Sequence, residues 1–112
     1  MPGRRPKHPP RHWSISGEWP NAPLREGAPP SAALARGVAS RLQRALEHNR
    51  ANSRGPGSAR KAAAATGLSI TTITNILRGI SWPDIDTVAR LEKALDASLW
   101  GDEHLTGTRN SN

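Results

Sequence analysis

AAAATGLSITTITNILRG (residues 62–79), followed by ISWPDIDTVARLEKAL (80–95), is the stretch that decides the fold. Its four consecutive alanines favour helix and let a neighbouring backbone come close. Gly67 stands where the chain must turn sharply, because glycine takes left-handed backbone angles at little steric cost. Ser69 is placed to cap the helix that follows. That helix is predicted over 70–77, ending at Gly79, with Ile73, Ile76 and Leu77 toward a core. Trp82-Pro83 then forces an extended step, since the residue before proline avoids helical angles. Asp84 caps a further helix with Ile85, Val88, Leu91 and Leu95 as its apolar stripe. Asp86 in its first turn suits the positive end of the helix.

Working outward, Ser58 is placed to cap a short helix over 59–65. The residues before it, RANSRGPG (50–57), form a basic loop with three strong breakers. Upstream again, Leu34, Val38, Leu42 and Leu46 recur every four residues and mark an amphipathic helix. That helix is predicted to begin after Pro29-Pro30, with Ser31 as its cap, and to fade near His48-Asn49. Downstream, Ser98 to Trp100 reads as the start of a short fifth helix, cut by Gly101.

Residues 1–30 are rich in proline and glycine, with Arg4, Arg5, Lys7 and Arg11 clustered at the start. Most of this arm is too poor in apolar surface to offset the entropy of ordering it. Its one apolar island is Trp13, Ile15 and Trp19, which share the odd-numbered face of a short strand or packed arm. The domain organisation read from this pattern is an arm over 1–30, a helical domain over 31–101 and a polar tail over 102–112.

The formal net charge is +7 and the sequence pI about 11.5. Arginine dominates the cations, and its planar fork suits phosphate and base edges better than lysine does. This is the charge balance of a nucleic-acid binder, though charge alone also fits a merely soluble basic surface. There is no cysteine, which excludes a disulfide scaffold and a zinc-finger cysteine set. His8, His12, His48 and His104 show no metal-ligand spacing and read as solvated residues; no cofactor is implied. No apolar run approaches transmembrane length, and the proline-broken N-terminus lacks the apolar core of a signal peptide. No nucleophile–base–orienter set suggests a catalytic centre, so no enzyme activity is expected.

Ser58, Ala63, Gly67-Leu68-Ser69, Thr72-Ile73, Ile76, Arg78-Gly79, Pro83, Asp86-Thr87, Ala94-Leu95 and Ser98-Leu99 together resemble the Cro/cI-type, or XRE-family, helix-turn-helix proteins. The resemblance covers residues 34–100. It departs at Ala59, where the family commonly has glutamine, and in a longer loop before that helix. The fold it implies is all-α: a compact four- to five-helix lambda-repressor-like domain, here with a mostly irregular N-terminal arm. The function it implies is sequence-specific binding of double-stranded DNA by a transcriptional regulator. The expected form is a repressor acting as a homodimer on a two-fold site, in the cytoplasm and at the nucleoid when DNA-bound.

The helix over 70–77 carries no ionisable side chain, so it would read bases with small polar and apolar groups. Asn75 suits a paired hydrogen bond to adenine, and Ile70 or a threonine methyl suits the thymine methyl. By resemblance the base-facing positions are Ile70, Thr71 and Asn75, with Thr74 nearby. Arg60 and Lys61 stand in the first turn of their helix, where cations oppose the positive helix end. A phosphate bound there would reverse the sign of that effect and use the exposed N–H groups as well. Phosphate contacts are therefore expected from Ser58, Arg60, Lys61, Thr72 and Arg78, extended by Arg50 and Arg54, with the basic arm adding unspecific affinity. The rival reading is an antitoxin-like module that neutralises a partner enzyme and regulates its own operon. A third is a helix-turn-helix scaffold that binds no DNA.

Overall fold

The computed structural model describes residues 8–15 and 18–101. Its helices are α1 (Pro30–Ala51), α2 (Ala59–Thr66), α3 (Ile70–Leu77) and α4 (Ile85–Leu95). No strand occurs among the described residues, only one isolated bridge between Ser14 and Leu24. The core is built from Val38, Leu42 and Leu46 of α1, Ala62 and Ala63 of α2, Ile73 and Ile76 of α3, and Val88, Leu91 and Leu95 of α4, closed by Leu99. Burying an aliphatic side chain of this size contributes about 1.5–3 kcal/mol each, which a domain this small needs. The tail 102–112, and with it His104, lies outside the described residues.

The first helix differs from expectation at both ends and along its stripe. Pro29 is its N-cap residue, no side chain caps it, and Pro30 takes the first helical position, so Ser31 is not the cap. Proline fits there because its fixed φ is already helical and its missing N–H would be unpaired anyway. The helix runs to Ala51 rather than fading at His48-Asn49. Leu34 is exposed, and Ala32, Ala35 and Ala39 are buried instead. A strict four-residue step drifts by about 40° around an α-helix, so three steps back from Leu46 carry Leu34 out of the buried arc.

In α4, Asp84 caps as expected: its carboxylate accepts from Thr87 N at 2.8 Å and from the Thr87 hydroxyl at 3.0 Å. Ile85, however, is 77% exposed, and Thr87 is buried with Val88, Leu91 and Leu95. Ile85 sits roughly a quarter turn from the centre of that arc, with only the loop beyond it.

There is no fifth helix among the described residues. The Glu92 carboxylate instead accepts from Leu99 N at 2.8 Å and Trp100 N at 3.2 Å and ties this segment back to α4. Arg41 donates to the carbonyls of Leu99 and Trp100, both at 3.3 Å. Its guanidinium lies where a Cβ on Gly101 would stand, and Gly101 has φ +75°. The segment after α4 is thus held by side chains while Leu99 plugs the core.

The apolar island of the arm also differs from the strand expected. Pro10–Trp13 is a single 3-10 turn, and Ser14 bridges Leu24. Ser14 is 2% exposed and Ile15 58%, the reverse of the expected alternation. Starting the extended step after a tight turn shifts the register by one residue, which swaps the faces. Ser16 and Gly17 lie outside the described residues. The described arm is docked on the helices: the Arg36 guanidinium donates to Ala22 O at 2.9 Å, and Arg11 N donates to Gly79 O at 2.9 Å.

Candidate nucleic-acid interface

Two helices and one turn position this face. The Ser58 hydroxyl accepts from Lys61 N at 3.1 Å and starts α2. Gly67 ends α2 with φ 82°, and its N–H donates to Ala63 O at 2.9 Å. A Cβ at Gly67 would meet nothing within 4 Å. Glycine is therefore needed here for its backbone angle and not for space. The Thr66 hydroxyl donates to Ala62 O at 2.8 Å and accepts from Leu68 N at 3.1 Å, pinning the turn. Ser69 then starts α3, accepting from Thr72 N at 3.0 Å, with its hydroxyl 2.8 Å from that of Thr72.

With Ile73 and Ile76 buried, α3 presents its other side to solvent. Ile70, at 38% exposure, and Thr71 are the open positions, while Thr74 and Asn75 are half-buried. Thr74 spends its hydroxyl proton on Thr71 O at 3.2 Å, leaving its oxygen as an acceptor. The Asn75 main-chain oxygen accepts from Ile80 N at 2.9 Å and Ser81 N at 3.3 Å, which closes the turn after α3. Its side-chain amide has no hydrogen bond to any described residue. The four expected base-reading residues thus lie on one short, uncharged helix.

The expected phosphate contacts divide into two groups. Arg60, Lys61 and Arg78 are exposed, at the first turn of α2 and the C-cap of α3, and none forms an ion pair among the described residues. Ser58 and Thr72 have their hydroxyls engaged in the caps. Arg50 and Arg54 are placed differently. The Arg50 guanidinium donates to Gly57 O at 2.8 Å, and a Cβ on Gly57 would come 2.9 Å from Arg50 Cα. Arg50 therefore clamps the end of α1 to the residue before Ser58. Asn49, buried, reinforces this by donating to Pro56 O at 2.9 Å. Arg54 lines a cleft of about 490 Å³ with Arg44, His48, Asn49 and residues 94–98, and no residue of α2 or α3 takes part in that lining. Arg4, Arg5 and Lys7 lie outside the described residues.

Sequence reasoning missed the neighbourhood of the α3 C-terminus. Gly79 has φ +73°, and a Cβ there would come within 2.7 Å of the Trp19 indole and 2.8 Å of Arg11 Cβ. The Trp82 indole donates to His8 O at 3.2 Å. The sequence signal was the apolar island of Trp13, Ile15 and Trp19 in an otherwise polar arm, which suggests packing but not where.

Residues 57–99 match a family model described as helix-turn-helix, spanning α2, α3 and α4 and ending on the buried Leu99. This segment is a Cro/cI-type helix-turn-helix. No curated protein and no solved structure matched the chain. No helix among the described residues is long and apolar enough to cross a membrane.

Proposed function

From a Cro/cI-type helix-turn-helix at 57–99, we propose that this protein is a sequence-specific regulator of transcription that lays α3 in the major groove of double-stranded DNA. Ile70, Thr71, Thr74 and Asn75 read base edges. Arg60, Lys61 and Arg78 take phosphates on either side of them. The regulator acts as a repressor, and as a homodimer on a two-fold site. What carries the reading is the family match over the three helices in which α3 exposes a neutral polar face between exposed cations. Neutral groove-facing groups select bases by hydrogen bonds and methyl contacts, while flanking cations supply affinity.

The test is selection of bound duplexes from a random DNA pool. An enriched motif with A·T pairs opposite Asn75, repeated with inverted symmetry about one helical turn apart, is the expected result. Binding without enrichment would remove sequence reading, and a single unrepeated half-site would remove the dimer.

One observation favours a protein partner as a second reading. Ile85 is 77% exposed and Ile80 36% exposed, flanking the Trp82-Pro83 step. Apolar side chains left open in this way suit an antitoxin-like contact with an enzyme. A neighbouring reading frame encoding a small toxin would favour that reading.

A further inference from the structure

We propose that the docked arm adds a second DNA-contacting surface, in which Arg11 takes a backbone phosphate beside the C-terminal end of α3. This rests on the reading of α3 as the groove-bound helix. The arm is fixed to that end of α3 by main-chain and aromatic contacts. Arg11 N donates to Gly79 O at 2.9 Å, the Trp82 indole donates to His8 O at 3.2 Å, and the Trp19 indole covers Gly79. Behind them the bridge between Ser14 and Leu24 closes the arm on itself, and the bond from Arg36 to Ala22 O holds it to α1. The anchor therefore runs through the backbone and leaves the side chain of Arg11 exposed.

The outcome is two cations, Arg11 and Arg78, brought together through Gly79 at one helix end. A single cation near a helix C-terminus is favourable because it meets the partial negative charge of unpaired carbonyls. Here three of the last four carbonyls of α3 are already taken: Thr74 O accepts from Arg78 N at 2.9 Å, Asn75 O from Ile80 N at 2.9 Å, and Ile76 O from Gly79 N at 3.2 Å. Gly79 O is taken by Arg11 itself. Neither guanidinium bonds a carbonyl of α3, and neither has an acidic partner among the described residues. Two uncompensated guanidinium groups beside the end of a groove-bound helix are each available to a backbone phosphate. DNA carries one charge per about 1.7 Å of axis, so binding there releases condensed counterions. The arm thus widens the DNA footprint past the end of α3.

The test uses the full chain, the duplex selected above, and two substitutions. Arg11→Gln removes the charge but keeps the main-chain anchor. It should make the slope of log affinity against log salt shallower by about one unit. Backbone protection should be lost at one edge of a hydroxyl-radical footprint, with base preference and the denaturation midpoint unchanged. Trp82→Phe removes the tie to His8 without touching charge. It should narrow the same edge of the footprint, and it should add little further loss once Arg11 is already glutamine. An unchanged slope and footprint in Arg11→Gln would overturn the proposal, as would a loss equal to the sum of the two variants. If the wild-type chain selects no duplex, the groove-binding reading fails and this one with it. If it selects one that Asn75→Ala alters but Arg11→Gln does not, only the arm contact fails.

Discussion

At the scale of single residues, the proposed function assigns specificity to Asn75 and affinity to the pair Arg60 and Lys61. The Asn75 amide is unengaged among the described residues and lies one turn beyond Thr71 on α3. Asn75→Ala should weaken binding to the selected duplex by about 1–3 kcal/mol and relax preference at one base position. Equal weakening on random DNA would show that Asn75 does not read bases. Arg60 and Lys61 occupy a turn whose dipole they oppose, with no acidic residue in it. Replacing both with glutamine should lower affinity for every duplex by a similar factor, and should reduce the salt slope by up to about two units. The free protein should gain a few tenths of a kcal/mol, because two cations leave a positive helix end. A structural ion pair would lose stability instead, so a denaturation curve beside the salt titration separates the two roles. The same comparison applied to Arg50→Gln should give the opposite pattern. Its guanidinium bonds Gly57 O at 2.8 Å, so the midpoint should fall while the salt slope stays.

At the scale of elements, what sequence could specify depended on whether a local rule decided the matter. Ser58, Ser69 and Asp84 are side-chain caps in the structure at the positions the sequence singled out. Their signal is local: an oxygen-bearing side chain two or three residues before the donor it satisfies. Gly67 was legible for the same reason. The start of α1 was not, because proline at the first helical position and serine as a cap compete on adjacent residues. Leu34 was misread because repeated four-residue steps drift off the buried arc, and Ile85 because it stands at the edge of its arc where nothing packs over it. That difference is measurable. Ile73→Ala empties a fully buried site shared with α1 and α4 and should cost roughly 2–5 kcal/mol. Ile85→Ala changes a 77% exposed side chain and should stay within about 0.5 kcal/mol. Comparable losses in the two variants, read from urea denaturation midpoints, would mean that the α4 phase described above is wrong. The missing fifth helix belongs to this scale too: Glu92 reaches seven and eight residues ahead to Leu99 and Trp100, a contact no local rule announces.

At the scale of the whole molecule, the arm is the part that composition concealed. Its few apolar residues cannot make a core of their own, but Trp19 and Pro10 need only an existing surface, which α1 and Gly79 provide. The residues expected to bind DNA were legible because the family pattern fixes which side of α3 faces out. Their grouping with Arg11 was not, since it joins positions far apart in sequence. The same docking should make the stability of the arm depend on pH. His12 stacks on His8 with ring centroids 3.9 Å apart and meets Trp13 edge-on at 4.9 Å. Its partial desolvation, the neighbouring His8 and the charge of Arg25 all push its pKa below the ordinary histidine value of 6.5. No carboxylate contributes to that shift. The sign follows from proton uptake. Above about 6.5 the ring is neutral in folded and unfolded chains alike, and its contribution to stability is fully present. As the pH falls below that value the unfolded chain binds a proton first, so stability declines until the lowered folded pKa is passed. Thermal midpoints measured from about pH 8 down to about pH 5 should therefore fall more steeply in the wild type than in His12→Gln, where this linkage is gone. The decline should be accompanied by exposure of Trp82, visible in tryptophan fluorescence, because His12 stacks on His8, whose carbonyl accepts from the Trp82 indole. Parallel pH curves for the two proteins would show that His12 titrates alike in both states and that the arm is held without regard to its charge.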